Sequence, residues 1–317
     1  MNVQLKFNRI GAINLDTNEL IATTTIKTDG SESLILDTKN KKQKEGIKKK
    51  GSNIKNMSEF IQNNEGSYIH LIYKYSCPIM EKLQSQYEGN KSNIHIIRFI
   101  VLASYSTFGG KLFDKNNNEI KKSSLSKIWH TENNRKSINE TYNILTELGY
   151  IYETEEGYIM INEDIVVKGA IEDFKKLHKV DKDLTYIRVF SQNIQNLYEG
   201  TEPKQRKQLA NLFKVLPYIN FAHNVFCENP TEVDHKKLDL LNWTDLAKLC
   251  GYEDNKHIAK FKRDLMKLKI YGYDTIGQFI TDSKKAICIN PKVYYGGNDI
   301  EDVKRLYVMF EMCENKK

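Results

Sequence analysis

At 317 residues the chain is long enough for two or three domains. Its net charge of +7 permits nucleic-acid binding without requiring it. No run of about 18 apolar residues occurs, which excludes a membrane-spanning helix, and Met1-Asn2-Val3-Gln4-Leu5-Lys6 has no apolar signal core, so a cytoplasmic protein is expected. Five scattered cysteines (Cys77, Cys227, Cys250, Cys288 and Cys313), an odd number without a CxxC pair, argue for a reducing compartment and against a disulfide framework or zinc site. Cys250 and Cys288 fall on apolar positions and read as small core residues.

In chain order, residues 1–38 alternate apolar and polar (Val3, Leu5, Phe7, then Ile10, Ile13, Leu15), with turn signals at Asp16-Thr17-Asn18 and Asp29-Gly30. They predict a small β-rich segment. Residues 39–53 are dense in lysine and nearly free of apolar residues, the pattern of a solvated basic loop or a phosphate-following arm. Residues 68–76 predict a strand, 92–106 a helix striped by Ile94, Ile97, Ile100 and Val101, and 111–113 a short strand. Ser123 and Ser124 are placed to cap a short helix carrying Leu125, Ile128 and Trp129. After a polar break, Ile138, Tyr142, Leu145 and Leu148 recur on one helical face, and Gly149 suits its end. Ile151–Thr154, Glu155-Glu156-Gly157 and Tyr158–Ile161 predict a β-hairpin.

Helical signal returns at 171–178 and at 184–199, the latter through Tyr186, Val189, Phe190, Ile194, Leu197 and Tyr198. Glu199-Gly200-Thr201-Glu202-Pro203 separates it from a helix at 203–216, and Asn224–Cys227 matches the strand at 111–113. Asn242 or Thr244 can cap a helix with Leu246, Leu249 and Cys250. Gly251 marks a turn, and Ile258, Phe261, Leu265 and Leu268 stripe the next helix. The hairpin that follows is longer, because Leu148 to Ile161 spans 13 positions and Leu268 to Ile289 spans 21. The extra eight are expected in a hairpin arm or tip. Residues 299–313 predict a C-terminal helix.

The two stretches are copies of one pattern. Ile159, Ile161, Asn162 and Gly169 coincide with Ile287, Ile289, Asn290 and Gly297, and Ile165 and Val293 are both β-branched. Helix, turn, helix, hairpin is the order of a winged helix, whose second helix enters the major groove while the wing lies along the backbone. Removing the apolar stripe of the first such helix leaves Asn134, Arg135, Lys136, Asn139, Glu140 and Asn143. In the second copy it leaves Asn255, Lys256, His257, Lys260, Lys262 and Arg263. Arg and Lys suit guanine edges and phosphates, and Asn suits adenine. Lys204, Arg206 and Lys207 open the helix at 203–216, where cations oppose the helix dipole and an outside phosphate would offset them. These residues, other than Glu140 and Lys262, form the expected DNA-binding set. The Asn of each Ile-x-Ile-Asn reads as a turn former after the wing.

Chemistry-bearing motifs are missing. Gly109-Gly110-Lys111 lacks the first Gly and the following Ser/Thr of a phosphate-binding loop, HExxH and GxSxG do not occur, and no two of the seven histidines have metal-ligand spacing. No catalytic residue, cofactor or metal is therefore expected, and the chain does not read as an enzyme.

Ser67–Gly169 resembles the winged-helix region of replication initiator proteins of Gram-positive plasmids and phages. The shared order is the Tyr-rich strand Tyr68–Tyr75, the helix Asn93–Ser106, the helix-turn-helix Ser123–Gly149 and the wing ending Ile161-Asn162-Glu163-Asp164-Ile165 before Lys168-Gly169. Ile289-Asn290-Pro291-Lys292-Val293 before Gly296-Gly297 is closer still to that wing ending. The tandem arrangement is similar to the iteron-binding initiators, which place two such domains on one DNA site. An α+β protein is expected, with a β-rich segment at 1–60 that the resemblance does not cover, one winged-helix domain at 61–180 and a second at 181–317. The resemblance also implies sequence-specific binding of double-stranded DNA at origin repeats; a second copy of the chain and the replication machinery are candidate further partners that it leaves unassigned. A phage transcription regulator or a protein-binding winged-helix adaptor shares the same pattern.

Overall fold

Short helices and small antiparallel sheets alternate through the computed structural model, which describes residues 9–14, 19–26, 32–36, 66–72, 92–131, 134–169, 186–281, 284–297 and 300–314. The fold is mixed α+β, with eight α-helices among the described residues. Residues 1–58 and 59–317 separate into two compact units. In the first, β1 (Arg9–Asn14), β2 (Glu19–Ile26) and β3 (Glu32–Leu36) form an antiparallel meander with a register shift at Ala12/Ile13. The expected basic loop at 39–53, the strand end at 73–76 and the helix at 171–178 lie outside the described residues.

The second unit contains two runs of elements in a similar order, the second with additions. In the first half, β4 (Tyr68–Ile72) precedes α1 (Asn93–Ala103), bridges at Lys111 and Leu112, then α2 (Leu125–Ile128) and α3 (Arg135–Glu147). The hairpin β5 (Ile151–Glu153)–β6 (Ile159–Ile161) and the short β7 (Val166–Val167) follow. In the second half, β8 (Tyr186–Phe190) precedes α4 (Ser191–Gly200), α5 (Arg206–Val215), bridges at Val225 and Phe226, then α6 (Trp243–Leu249) and α7 (Asn255–Met266). The small hairpin β9 (Lys269–Ile270)–β10 (Tyr273–Asp274) comes next, then the hairpin β11 (Ile276–Thr281)–β12 (Lys284–Ile289) and α8 (Ile300–Glu314).

The helix expected at 184–199 is half strand. Tyr186–Phe190 pairs residue for residue with β4, from Tyr68↔Phe190 to Ile72↔Tyr186. Apolar residues at 186, 187, 189 and 190 satisfy both a helical and a strand period, and the partner strand decides: Ile187 and Val189 point inward between half-buried Tyr186 and Arg188. Helix resumes only at Ser191. The second expectation to fail is the position of the eight extra residues. Ile151 pairs with Ile161 and Ile276 with Ile289, so the two wings are in equivalent register. Five of the extra residues lie before Ile276, where they make β9–β10, and only three lengthen the wing. Tyr271 (φ 51) and Gly272 (φ 87) turn this small hairpin, both in the left-handed region that a two-residue primed turn requires. It docks on α4, where the Tyr271 hydroxyl donates to Asn193 Oδ1 at 2.6 Å.

The two asparagines clamp both wings in the same way. Asn162 N–H donates to Tyr150 O at 2.9 Å, its Nδ2 to Gly149 O at 2.9 Å, and its Oδ1 accepts from Asp164 N at 2.9 Å. Asn290 N–H donates to Thr275 O at 2.8 Å, its Nδ2 to Asp274 O at 2.9 Å, and its Oδ1 accepts from Lys292 N at 3.0 Å. The chain then leaves the wing identically, with Ile165 N on Asn162 O at 3.1 Å and Val293 N on Asn290 O at 2.9 Å.

These exits explain how the halves join. Val166 and Val167 pair with the outer edge of β4, and Tyr294, one residue past the equivalent Val293, bridges Val189 on the outer edge of β8. Antiparallel pairing of β4 with β8 closes one sheet with a half on each side of the His70–Arg188 pair. Beside it, α1 packs on α5. Asn93 Nδ2 donates to Asn211 Oδ1 at 3.0 Å, and the buried Lys214 ammonium donates to Asn93 Oδ1 at 2.6 Å. One apolar core runs through both halves, from Ile69 and Ile97 to Leu212 and Tyr294.

Candidate nucleic-acid interface

The first candidate reading helix is α3. Its N-cap is Asn134, whose side chain accepts the Ser137 N–H at 3.0 Å. Ile138, Thr141, Tyr142, Ile144 and Leu145 are buried, while Asn134, Arg135, Lys136, Asn139, Glu140 and Asn143 are exposed. The inner face is anchored by polar contacts as well as packing. The buried Arg98 guanidinium donates to Ser137 O at 2.8 Å and to Thr141 Oγ1 at 2.7 Å, and lies 5.3 Å from the Trp129 ring centroid. His95 Nδ1 is 2.9 Å from Thr141 Oγ1, and burial lowers its pKa, so the ring is held neutral. Tyr142 donates to Glu153 of the wing, and burial with that bond pushes its phenol up to about 12. Two anchors from α1 and one from the wing therefore fix which face of α3 is outward.

The second is α7, capped by Asp254, whose Oδ1 accepts the His257 N–H at 2.9 Å. That bond is the main reason the Asp254 carboxyl is held below its ordinary value. Phe261 and Leu265 are buried, while Asn255, Lys256, His257, Lys260 and Arg263 are exposed. His257 Nδ1 turns back onto the Asp254 carboxylate, so this ring is engaged within the cap. Lys262 is half-buried and sits 5.6 Å from the Trp243 ring centroid on α6, which is itself held by a capping box between Asn242 and Asp245. Lys262 thus belongs to the α6–α7 contact, and Lys256, Lys260 and Arg263 carry the outward charge.

Two expectations change here. Arg206 is 8% exposed and does not face solvent. Its Nε donates to Tyr198 O and Thr201 O, both at 3.2 Å, and its guanidinium carbon lies 4.6 Å from the Tyr198 ring centroid. It caps the carbonyl end of α4, the end a cation favours. Lys204 and Lys207 remain exposed. Ser124 occupies an N-cap position but makes no side-chain capping bond, because Lys122–Ser124 continues as 3-10 helix into α2. The turn of the β5–β6 hairpin carries exposed Glu155 and Glu156, as its sequence indicated. Gly157 at φ 80 closes that turn.

Two cations went unnoticed in the sequence. Exposed Lys122 lies 4.1 Å from the Tyr142 ring centroid on α3, and exposed Lys121 lies 4.5 Å from that of Tyr158 on the wing. They flank the exposed face of α3, and the Lys-Lys pair directly before Ser123-Ser124 was the available signal. Burial pushes the Cys250 and Cys288 thiols up to about 12, as befits core residues. Among the described residues, no three His, Cys, Asp or Glu side chains come together as a metal site, and no helix is long and apolar enough to cross a membrane. Comparison with protein-family models, with curated proteins and with solved structures finds no match.

Proposed function

We propose that the chain is a sequence-specific double-stranded DNA-binding protein built on two winged-helix modules, acting as the replication initiator of a plasmid or phage. The observation that carries the reading is the repeated order α1–α2–α3–wing and α5–α6–α7–wing, with an exposed Asn/Lys/Arg face on the second helix of each turn pair. In this reading α3 and α7 enter two successive major-groove segments, with Arg135, Asn139, Lys256 and Arg263 toward base edges. Lys121, Lys122, Lys204 and Lys207 follow phosphates. The acidic first wing stays off the backbone, so the second wing, with exposed Lys285, makes the wing contact. The initiator role rests on the resemblance of Ser67–Gly169 to that family.

Selection from a random duplex pool tests DNA reading directly. A two-part motif should be enriched. Arg135→Ala should relax one part and Lys256→Ala the other, each by about 1–3 kcal/mol. Because the halves share a sheet and core, inserting about five base pairs, half a helical turn, between the parts should reduce binding to that of a single module. No enrichment, or full affinity in both variants, rejects the reading. Mapping the motif on the source replicon then separates the roles: an array at an origin supports initiation, and a single operator at a promoter supports transcriptional regulation.

A further inference from the structure

The second half holds an apolar cluster that is not part of the shared core. Val225, Cys227, Leu238, Ala286, Cys288 and Phe310 pack together there, with Phe279 edge-to-face on Phe310 at 5.7 Å. A cavity of about 380 Å³ opens into this cluster, walled by β11 and β12, by residues 223–240 and by the C-terminal helix α8. Phe279, Ala286, Leu238 and Leu306 make its apolar walls, and Met309, 36% exposed, makes a flexible one. Volume and lining match small-molecule sites, which are concave, mostly apolar and carry a few convergent polar groups.

Lys236 is the charged group among the described lining residues. His223 and His235 adjoin it, and no carboxylate is among the described lining residues. The rings of His223 and His235 are 6.3 Å apart, so these three form one cluster on the open side, where His235 and Lys236 are exposed. His223 Nε2–H donates to Val233 O at 3.2 Å, which orients that ring. The acids nearest in sequence are tied into the loop itself: Asp234 Oδ1 accepts the Lys236 N–H at 3.1 Å while its Oδ2 lies 3.9 Å from the Lys237 ammonium, and Glu232 Oε1 accepts the Asp234 N–H at 2.8 Å. An apolar chamber with a cationic mouth is complementary to an apolar body with an anionic head.

We propose that this cavity binds a small amphiphilic carboxylate, an alkyl or aryl acid whose hydrocarbon lies against Phe279, Ala286 and Leu306 while its carboxylate meets Lys236 and His235. Binding is non-covalent, because burial keeps the Cys288 thiol protonated, with a pKa of about 12. None of its lining residues lies on α3 or α7, and Phe279, Ala286 and Cys288 come from the strands of the second hairpin.

The test is calorimetric titration of the full chain, without DNA, with decanoate and with decanol. Decanoate should bind saturably, one to one and more tightly than decanol. The double variant His235→Gln/Lys236→Gln should weaken decanoate by about tenfold and leave decanol unchanged. Ala286→Phe fills the cavity and should abolish both. Met309→Glu, at a part-exposed position that tolerates charge, should weaken decanoate through repulsion even if Ala286→Phe does not fold. Non-saturable decanoate uptake, equal affinity for decanol, or wild-type decanoate affinity in both the double variant and Met309→Glu would overturn the proposal.

Discussion

The paired asparagine clamps offer a test of the duplicated architecture in which the same substitution has different expected outcomes. Asn290→Ala removes two side-chain hydrogen bonds, from Nδ2 to Asp274 O at 2.9 Å and from Lys292 N to Oδ1 at 3.0 Å. Asn290 is 1% exposed, so water does not replace the lost partner easily. Two bonds at about 1 kcal/mol each, with a further desolvation penalty on the stranded peptide groups, give an expected loss of about 2–3 kcal/mol. Asn162→Ala removes the equivalent bonds to Gly149 O and from Asp164 N, but Asn162 is only half-buried and both bonds lie in solvent-exposed surroundings. Water takes over there, and the expected loss is about 1 kcal/mol. Urea unfolding of the two variants, with the midpoint shift multiplied by an unchanged m-value, measures both losses. Equal losses, or a loss at Asn290 below that at Asn162, would refute the argument that burial of an equivalent clamp sets its worth.

Further expectations concern the core and the interface. Burial lowers the pKa of His70, which is 3% exposed between Tyr68 and Tyr186, from 6.5 to about 3. A histidine depressed in the folded state leaves stability intact above the unfolded pKa and removes it as pH falls toward the folded one. Unfolding free energy should therefore decline between pH 6.5 and about 3, by up to ~1.4 kcal/mol per pH unit from this group. His70→Phe should flatten that part of the slope, and an unaltered slope would exclude His70 as its source. At Gly110 (φ 70) a Cβ would lie 2.4 Å from Ile161 O, whereas at Gly149 (φ 72) it would meet nothing within 4 Å. Gly110→Ala should cost about 2–4 kcal/mol and Gly149→Ala about 1 kcal/mol by thermal or urea unfolding, and equal values would contradict the close approach. Arg206→Ala should lower stability by about 2–3 kcal/mol through the lost α4 cap and leave the salt dependence of DNA binding unchanged. Lys207→Ala should do the reverse, reducing the salt slope by about one if it meets a phosphate. A reduced salt slope in Arg206→Ala at wild-type stability would restore Arg206 to the interface.

Local rules carried far along this chain because most of its decisions are local. Stripes such as Ile138–Tyr142–Leu145 and Phe261–Leu265 set both the existence of α3 and α7 and the face each buries, so the outward Lys, Arg and Asn residues were legible. Asn242 announced a capping box, and the repeated Ile-x-Ile-Asn announced two wings in matching register. Where a residue's role depends on a partner distant in the chain, the same rules misled. Tyr186–Phe190 fits two periods, and only β4, more than a hundred positions away, makes it a strand. Arg206 reads as a surface cation until α4 presents its carbonyl end to it. The joining of two modules into one body through β4–β8 and Asn93–Asn211 leaves no trace in either local pattern, and neither does the basic-mouthed apolar cavity beneath α8. Sequence by itself determined most of the helices, the two longer hairpins and which faces are apolar, since these follow from spacing within a few turns, while Tyr186–Phe190 and β9–β10 did not. Tertiary structure alone decided which charges stay in water, because that depends on what the rest of the chain brings alongside them.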